Sequence, residues 1–104
     1  KRSKAFAERR DFVVKSLNNI DGISCLKPNG AFYVFPNCKK LLNKRTKLKK
    51  DTDFVQKLLE KQNVAAVQGS AFGLDGYFRI SYATSMAKLK IAMSRIKKFC
   101  EDLG

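Results

Sequence analysis

One arginine in the middle of an apolar strand constrains this chain more than any other feature. The segment Gly-Tyr-Phe-Arg-Ile-Ser-Tyr-Ala-Thr-Ser, residues 76–85, carries Arg79 among aromatic and β-branched neighbours that favour a pleated, half-buried strand. Alternation sends Tyr77, Arg79 and Ser81 to one face and Phe78, Ile80 and Tyr82 to the other. A sheet holding this strand therefore has one face for a core and one for a guanidinium. A buried guanidinium is costly unless an anion or several acceptors meet it. From the residues alone two readings of Arg79 stay open. It either faces water from an open sheet, or binds a carboxylate through its planar fork in a partly closed site.

The rest of the chain supplies layers for such a sheet. Residues 3–20 read as a helix, with Phe6, Val13, Leu17 and Ile20 at helical spacing. No clear N-cap precedes that pattern, as expected of a segment cut from a longer helix. Residues 23–27 and 31–35 are short strand candidates, and Lys27-Pro28-Asn29-Gly30 between them is a turn signal, so the two are expected to form a hairpin. Asp51 or Thr52 is placed to cap a helix whose apolar face is Phe54, Val55, Leu58 and Leu59. Residues 64–67 predict a third strand, 68–76 a glycine-rich loop, and 77–83 the fourth strand. Ser85 then caps a last helix carrying Met86, Leu89, Met93, Ile96, Cys100 and Leu103. This order predicts an α/β (α+β) two-layer sandwich, with a mostly antiparallel sheet of about four strands packed against three helices. At 104 residues the chain is read as a single domain, 1–104.

Composition removes several classes of function. No histidine is present, the acids are scattered, and neither a paired-carboxylate site nor a triad can be assembled. Cys25, Cys38 and Cys100 are widely spaced without a C-x-x-C pair, so they read as reduced thiols, and no metal site is expected. No apolar run approaches the roughly 18 residues of a membrane span, and the basic start lacks the apolar core of a leader. A cytoplasmic location and no membrane partner are the expectations. Ser85-Met86-Ala87-Lys88 matches S-x-x-K, but no companion motif accompanies it, and a capping serine before a surface lysine accounts for it. The loop Gly69–Gly76 lacks the Lys of a phosphate loop and leads into a strand, so it reads as a turn that lets backbone approach something closely.

The net charge is +13, and seven of the basic residues fall in residues 39–50, which contain no acid. That run is expected to be a solvated, mobile loop, dispensable for folding, with Leu41, Leu42 and Leu48 able to tack parts of it down. The charge also raises the alternative of a small basic nucleic-acid-binding module, with sheet aromatics stacking bases. Against it, no RNP1-like string is present, and the bases cluster in one loop instead of flanking the aromatics. A free-standing interaction domain is the third alternative.

Lys27–Asn37 and Val67–Ser85, with the helical segments before the first and after the second, resemble the C-terminal small domain of pyridoxal-phosphate-dependent class I/II aminotransferases, in particular the bacterial aspartate aminotransferase branch. The resemblance covers nearly the whole chain. It implies that Arg79 binds the substrate α-carboxylate, that Phe32 packs beside it and shapes the pocket, and that Gly30 lies in the turn leading there. It also implies amino-acid and 2-oxo-acid substrates, a large pyridoxal-phosphate-binding domain in the same polypeptide, and a homodimer at full length. The Schiff-base lysine belongs to that large domain. Ser3-Lys4 is too close to the Gly30 turn to be that site, so no catalytic or cofactor-binding residue is assigned here and the chain alone is expected to be inactive. One departure is Gln68, where the family pattern leads one to expect proline. The change is expected to alter loop stiffness and leave Arg79 in its role.

Overall fold

The computed structural model describes residues 2–28 and 32–103. Three helices, α1 (Arg2–Asn18), α2 (Asp51–Gln62) and α3 (Met86–Leu103), pack on one face of a three-stranded antiparallel sheet. The strands are β1 (Tyr33–Val34), β2 (Val67–Gln68) and β3 (Phe78–Ser81), in the order β1-β3-β2. The arginine-bearing strand is therefore central. It pairs Ser81 with Tyr33 and Ile80 with Val34 on one side, and Arg79 with Val67 and Phe78 with Gln68 on the other.

Alternation along β3 holds. Phe78, Ile80 and Tyr82 are buried, whereas Tyr77 and Arg79 are half-buried and Ser81 is exposed. The buried set meets α2 and α1 directly and α3 through α2: Phe54 of α2 stacks on Phe78 with centroids 4.9 Å apart and meets Phe99 of α3 edge-on at 5.2 Å. Phe6 of α1 lies edge-on to Tyr82 at 6.4 Å. Aromatic pairs at such tilts add to area burial. In α3 the expected stripe of Leu89, Met93, Ile96 and Cys100 is buried, joined by Phe99, and the Ser85 hydroxyl accepts the Lys88 N–H at 3.2 Å.

The expected sheet is shortened at both ends. Residues 23–27 contribute one bridge, Ser24 to Asn37, in place of a strand. The cause lies in α1: the Asn18 side chain donates to the Cys25 carbonyl and accepts the Cys25 N–H, both at 2.8 Å, so this backbone is satisfied by a side-chain amide. Leu26 consequently points outward, 89% exposed. The hairpin turn at Asn29 and Gly30 lies outside the described residues. Pairing of the third segment starts only at Val67, because Asn63 ends α2 in the left-handed region (φ 56°) and residues 64–66 are used to return to the sheet.

The basic segment is folded onto the domain, a correction to the solvated loop expected from its charge. Leu41 and Leu48 are in the core, and the buried Thr46 hydroxyl donates to the Leu41 carbonyl at 2.6 Å while accepting the Leu48 N–H at 3.3 Å. The lysines point outward from a loop whose apolar residues point in. Lys50, with extended backbone, caps α2, and Asp53 closes the cap by accepting the Lys49 and Lys50 N–H groups at 3.1 Å each. Asp51, expected as a cap, is turned inward.

Candidate functional site: a stacked guanidinium on the open sheet face

Arg79 lies on the face of β3 away from the helices, between two aromatic rings. Its guanidinium carbon is 4.2 Å from the centroid of Tyr33 and 4.7 Å from that of Phe72. Cation–π contact of this kind anchors the guanidinium without consuming its N–H donors. Among the described residues, no hydrogen bond or ion pair involves the Arg79 side chain. The arrangement presents a fork of donors without an acceptor among the described residues, as bidentate capture of a carboxylate requires.

Each wall has a traceable origin. Tyr33 follows from strand parity, since its partner Ser81 shares the Arg79 face. Phe72 ends a 3-10 turn, Gly69–Phe72, that rises from the end of β2. This turn needs glycine at its first position, because a Cβ on Gly69 would strike the carbonyl oxygens of Leu74 and Tyr77. The close approach expected in this loop is thus to its own backbone. Phe35 supports Phe72 edge-on at 5.9 Å. Gln68 holds φ −63° and ψ 137°, the region a proline would occupy, so the departure from the family pattern leaves the local path intact.

Phe32 sits elsewhere than expected. Its ring packs on Phe6 at 5.1 Å and is half exposed, while the rings against Arg79 are Tyr33 and Phe72. The physical reason is the one-residue step of a strand, which sends neighbouring side chains to opposite faces. Gly30 lies outside the described residues.

Asp51 is not singled out in the sequence reading as the buried anchor of the loop between β2 and β3. It is 2% exposed, and one of its oxygens, Oδ2, accepts the Ser70 N–H at 2.9 Å and the Gly76 N–H at 3.0 Å. The signal was present in the spacing: Asp51, Phe54 and Leu58 occupy i, i+3 and i+7 on the buried face of α2. The three thiols are free and buried. Burial pushes Cys25 up to about 11 and Cys100 to about 12, and burial aided by the nearby Asp51 charge takes Cys38 to about 12. They are inert at neutral pH. Among the described residues no cluster of His, Cys, Asp or Glu could hold a metal ion, and no helix is long and apolar enough to cross a membrane.

Fold and site together define a small α/β domain that presents one aromatic-stacked guanidinium from the centre of an open sheet. The chain belongs to the aminotransferase class I and II family, whose model matches residues 1–96. It is 52% identical to an aspartate aminotransferase of Rhizobium meliloti strain 1021 over 99% of its own length and 26% of that protein's. It is equally identical, at 52%, to a probable aspartate/prephenate aminotransferase of Rhizobium leguminosarum bv. phaseoli, covering 93% of this chain and 25% of that one. The crystal structure of an aspartate aminotransferase from Rhizobium meliloti superposes with a TM-score of 0.92 at 53% identity, over 96% of this chain and 26% of that one. An alanine aminotransferase from Pyrococcus furiosus superposes with a TM-score of 0.86 at 40% identity, over 95% of this chain and 24% of that one. The chain thus spans about a quarter of the length of the relatives it matches.

Proposed function

We propose that residues 1–104 are the small domain of a pyridoxal-phosphate-dependent aminotransferase, in which Arg79 binds the α-carboxylate of an amino acid, aspartate, and of the partner 2-oxo acid. The observation that carries this reading is the Arg79 fork itself, held by Tyr33 and Phe72 with its donors unmatched among the described residues. The relatives named as aspartate aminotransferases support the choice of substrate. Phe32, half exposed just before β1 and packed on Phe6, and Gly30 belong to the same proposal as residues bordering the pocket from beyond the Tyr33–Arg79 contact.

The residues present do not fit the cofactor. Every lysine whose side chain is described is exposed, whereas a Schiff-base lysine works from an environment that lowers its pKa. The sole buried carboxylate among the described residues, Asp51, is committed to backbone amides. In this proposal the remainder of a longer, dimeric, cytoplasmic enzyme holds pyridoxal phosphate, and the present chain alone has no turnover. The contribution of this domain is binding and orientation. Substrate held at one end by Arg79 and at the other by the large domain draws the two together and excludes water.

The test uses succinate, a dicarboxylate with no amino group to transfer, titrated into the full-length cofactor-loaded protein. A charge-assisted hydrogen bond contributes about 1.5–3 kcal/mol, so Arg79→Lys should weaken succinate about 10- to 150-fold. Cofactor affinity should be unchanged. Equal succinate affinity in the two proteins would remove the proposal.

A further inference from the structure

Carboxylate binding by Arg79 leaves Asp51 unexplained. A buried carboxylate without a cation survives only where hydrogen bonds replace its hydration. Among the described residues Asp51 forms no ion pair, and its bonds go to Ser70 N–H, Gly76 N–H and, at 3.5 Å, the Thr52 hydroxyl. The two amides stand at opposite ends of the excursion between β2 and β3. Inside it, the Leu74 N–H donates to the Gly69 carbonyl at 2.9 Å and the Gly73 N–H to the Ser70 carbonyl at 3.2 Å, so the segment is bonded within itself. Gly73 and Gly76 bend it at φ 79° and 85°. One oxygen atom therefore staples both ends of the loop that carries Phe72, and it does so from the first turn of a core helix. Phe72 is 47% exposed, and its ring meets Phe35 and Arg79. Besides the Asp51 staple, the Gly69 N–H to the Tyr77 carbonyl, at 2.7 Å, ties this wall to the sheet.

We infer that Asp51 is a positioning residue for the carboxylate site: by stapling Ser70 and Gly76 to the start of α2 it holds Phe72 against Arg79 and sets the direction in which the fork meets a substrate carboxylate. The inference rests on the carboxylate-binding reading of Arg79. It adds a residue that touches neither substrate nor cofactor and acts through a loop and a ring. Supporting shells of this kind decide whether a binding group is held within the tolerance its chemistry needs.

The experiment is a double-substitution cycle in the full-length pyridoxal-phosphate-loaded protein, with L-aspartate as the varied substrate. Asp51→Ala is expected to raise KM about tenfold with kcat within about threefold, because loss of a uniformly used binding contact appears in KM. Asp51→Asn keeps an oxygen able to accept both amides and is expected to stay within about threefold of the parent. In an Arg79→Ala background, Asp51→Ala should add no more than about twofold, since coupled residues are not additive. In the cofactor-free protein, hydrogen exchange at Ser70 and Gly76 should quicken in Asp51→Ala. Phe72→Ala removes the ring without touching the core and must reproduce the KM effect, which keeps the inference testable if Asp51→Ala fails to fold. A Phe72→Ala KM within twofold of the parent overturns it. So does a full additional loss from Asp51→Ala on top of Arg79→Ala, or unchanged exchange at the two amides. If Arg79→Ala itself leaves KM and kcat alone, the carboxylate reading fails, which is a distinguishable result.

Discussion

Replacing Leu48 by alanine separates the two halves of the basic segment's character. Leu48 is 3% exposed and borders a groove with Thr46, Phe99 and Leu103, and its N–H is received by the buried Thr46 hydroxyl that also holds the Leu41 carbonyl. Leu→Ala in a core costs about 2–5 kcal/mol, depending on how much of the cavity survives. Water can refill a site at the edge of an open groove, so the low end applies, about 2–3 kcal/mol. For a chain this size, 1 kcal/mol moves the midpoint about 4–8 °C, giving an expected fall of about 8–24 °C. The assay is thermal unfolding followed by circular dichroism, with a urea titration to verify that the m-value holds. Lys44→Ala and Lys49→Ala are the controls. Both side chains are exposed and should change stability by no more than about 0.5 kcal/mol. If Leu48→Ala melts within about 3 °C of the parent, like the lysine controls, the segment does not belong to the core and its packing as described is wrong.

Gln68→Pro should stabilise the chain by about 0.4–1 kcal/mol, because Gln68 already has a proline-compatible φ and the neighbouring Gly69 N–H, not its own, reaches across to the Tyr77 carbonyl; a lower melting point would refute this. Lys47→Gly should be neutral or stabilising by up to about 1 kcal/mol, since Lys47 sits at φ 64°, and a clear loss on chemical denaturation would contradict the backbone path. The three thiols favour their neutral form in the fold, with values raised from near 9 to about 11 for Cys25 and about 12 for Cys38 and Cys100. Their contribution to stability is therefore complete below pH 9 and lost as pH rises toward 11–12, a decline that Cys38→Ala should reduce in urea titrations at high pH. Asp53 has the opposite sign: the Lys49 and Lys50 N–H groups hold its carboxyl below the ordinary 3.8, so its contribution is present above that value and lost on further acidification. Asp53→Asn should flatten the acid limb of the stability curve.

What could be read in advance was local. The Ser85 cap, the apolar stripe of α3 and the parity of β3 depend on residues near one another in sequence, and the structure has them as read. The misses depend on partners far away. Residues 23–27 have strand composition, yet Asn18 satisfies the Cys25 backbone first, and no propensity scale contains that amide. Asp51 has the sequence position of a cap, but its bonds go to amides 19 and 25 residues away. Lysines dominate the composition of the basic segment, while its path is decided by Leu41, Thr46 and Leu48 between them. Phe32 and Tyr33 differ by one step of a pleat, and only the pairing of Tyr33 with Ser81 says which of them shares the face of Arg79.

The central proposal is that Arg79 is the carboxylate clamp of an aminotransferase. Its most direct measurement is kcat/KM for aspartate in the full-length protein before and after Arg79→Lys. Lysine keeps the charge but loses the planar fork and its stacking between Tyr33 and Phe72. The account predicts a fall of about two orders of magnitude or more with cofactor binding nearly unchanged. A kcat/KM within a few-fold of the parent, or a collapse of cofactor affinity in its place, would contradict it.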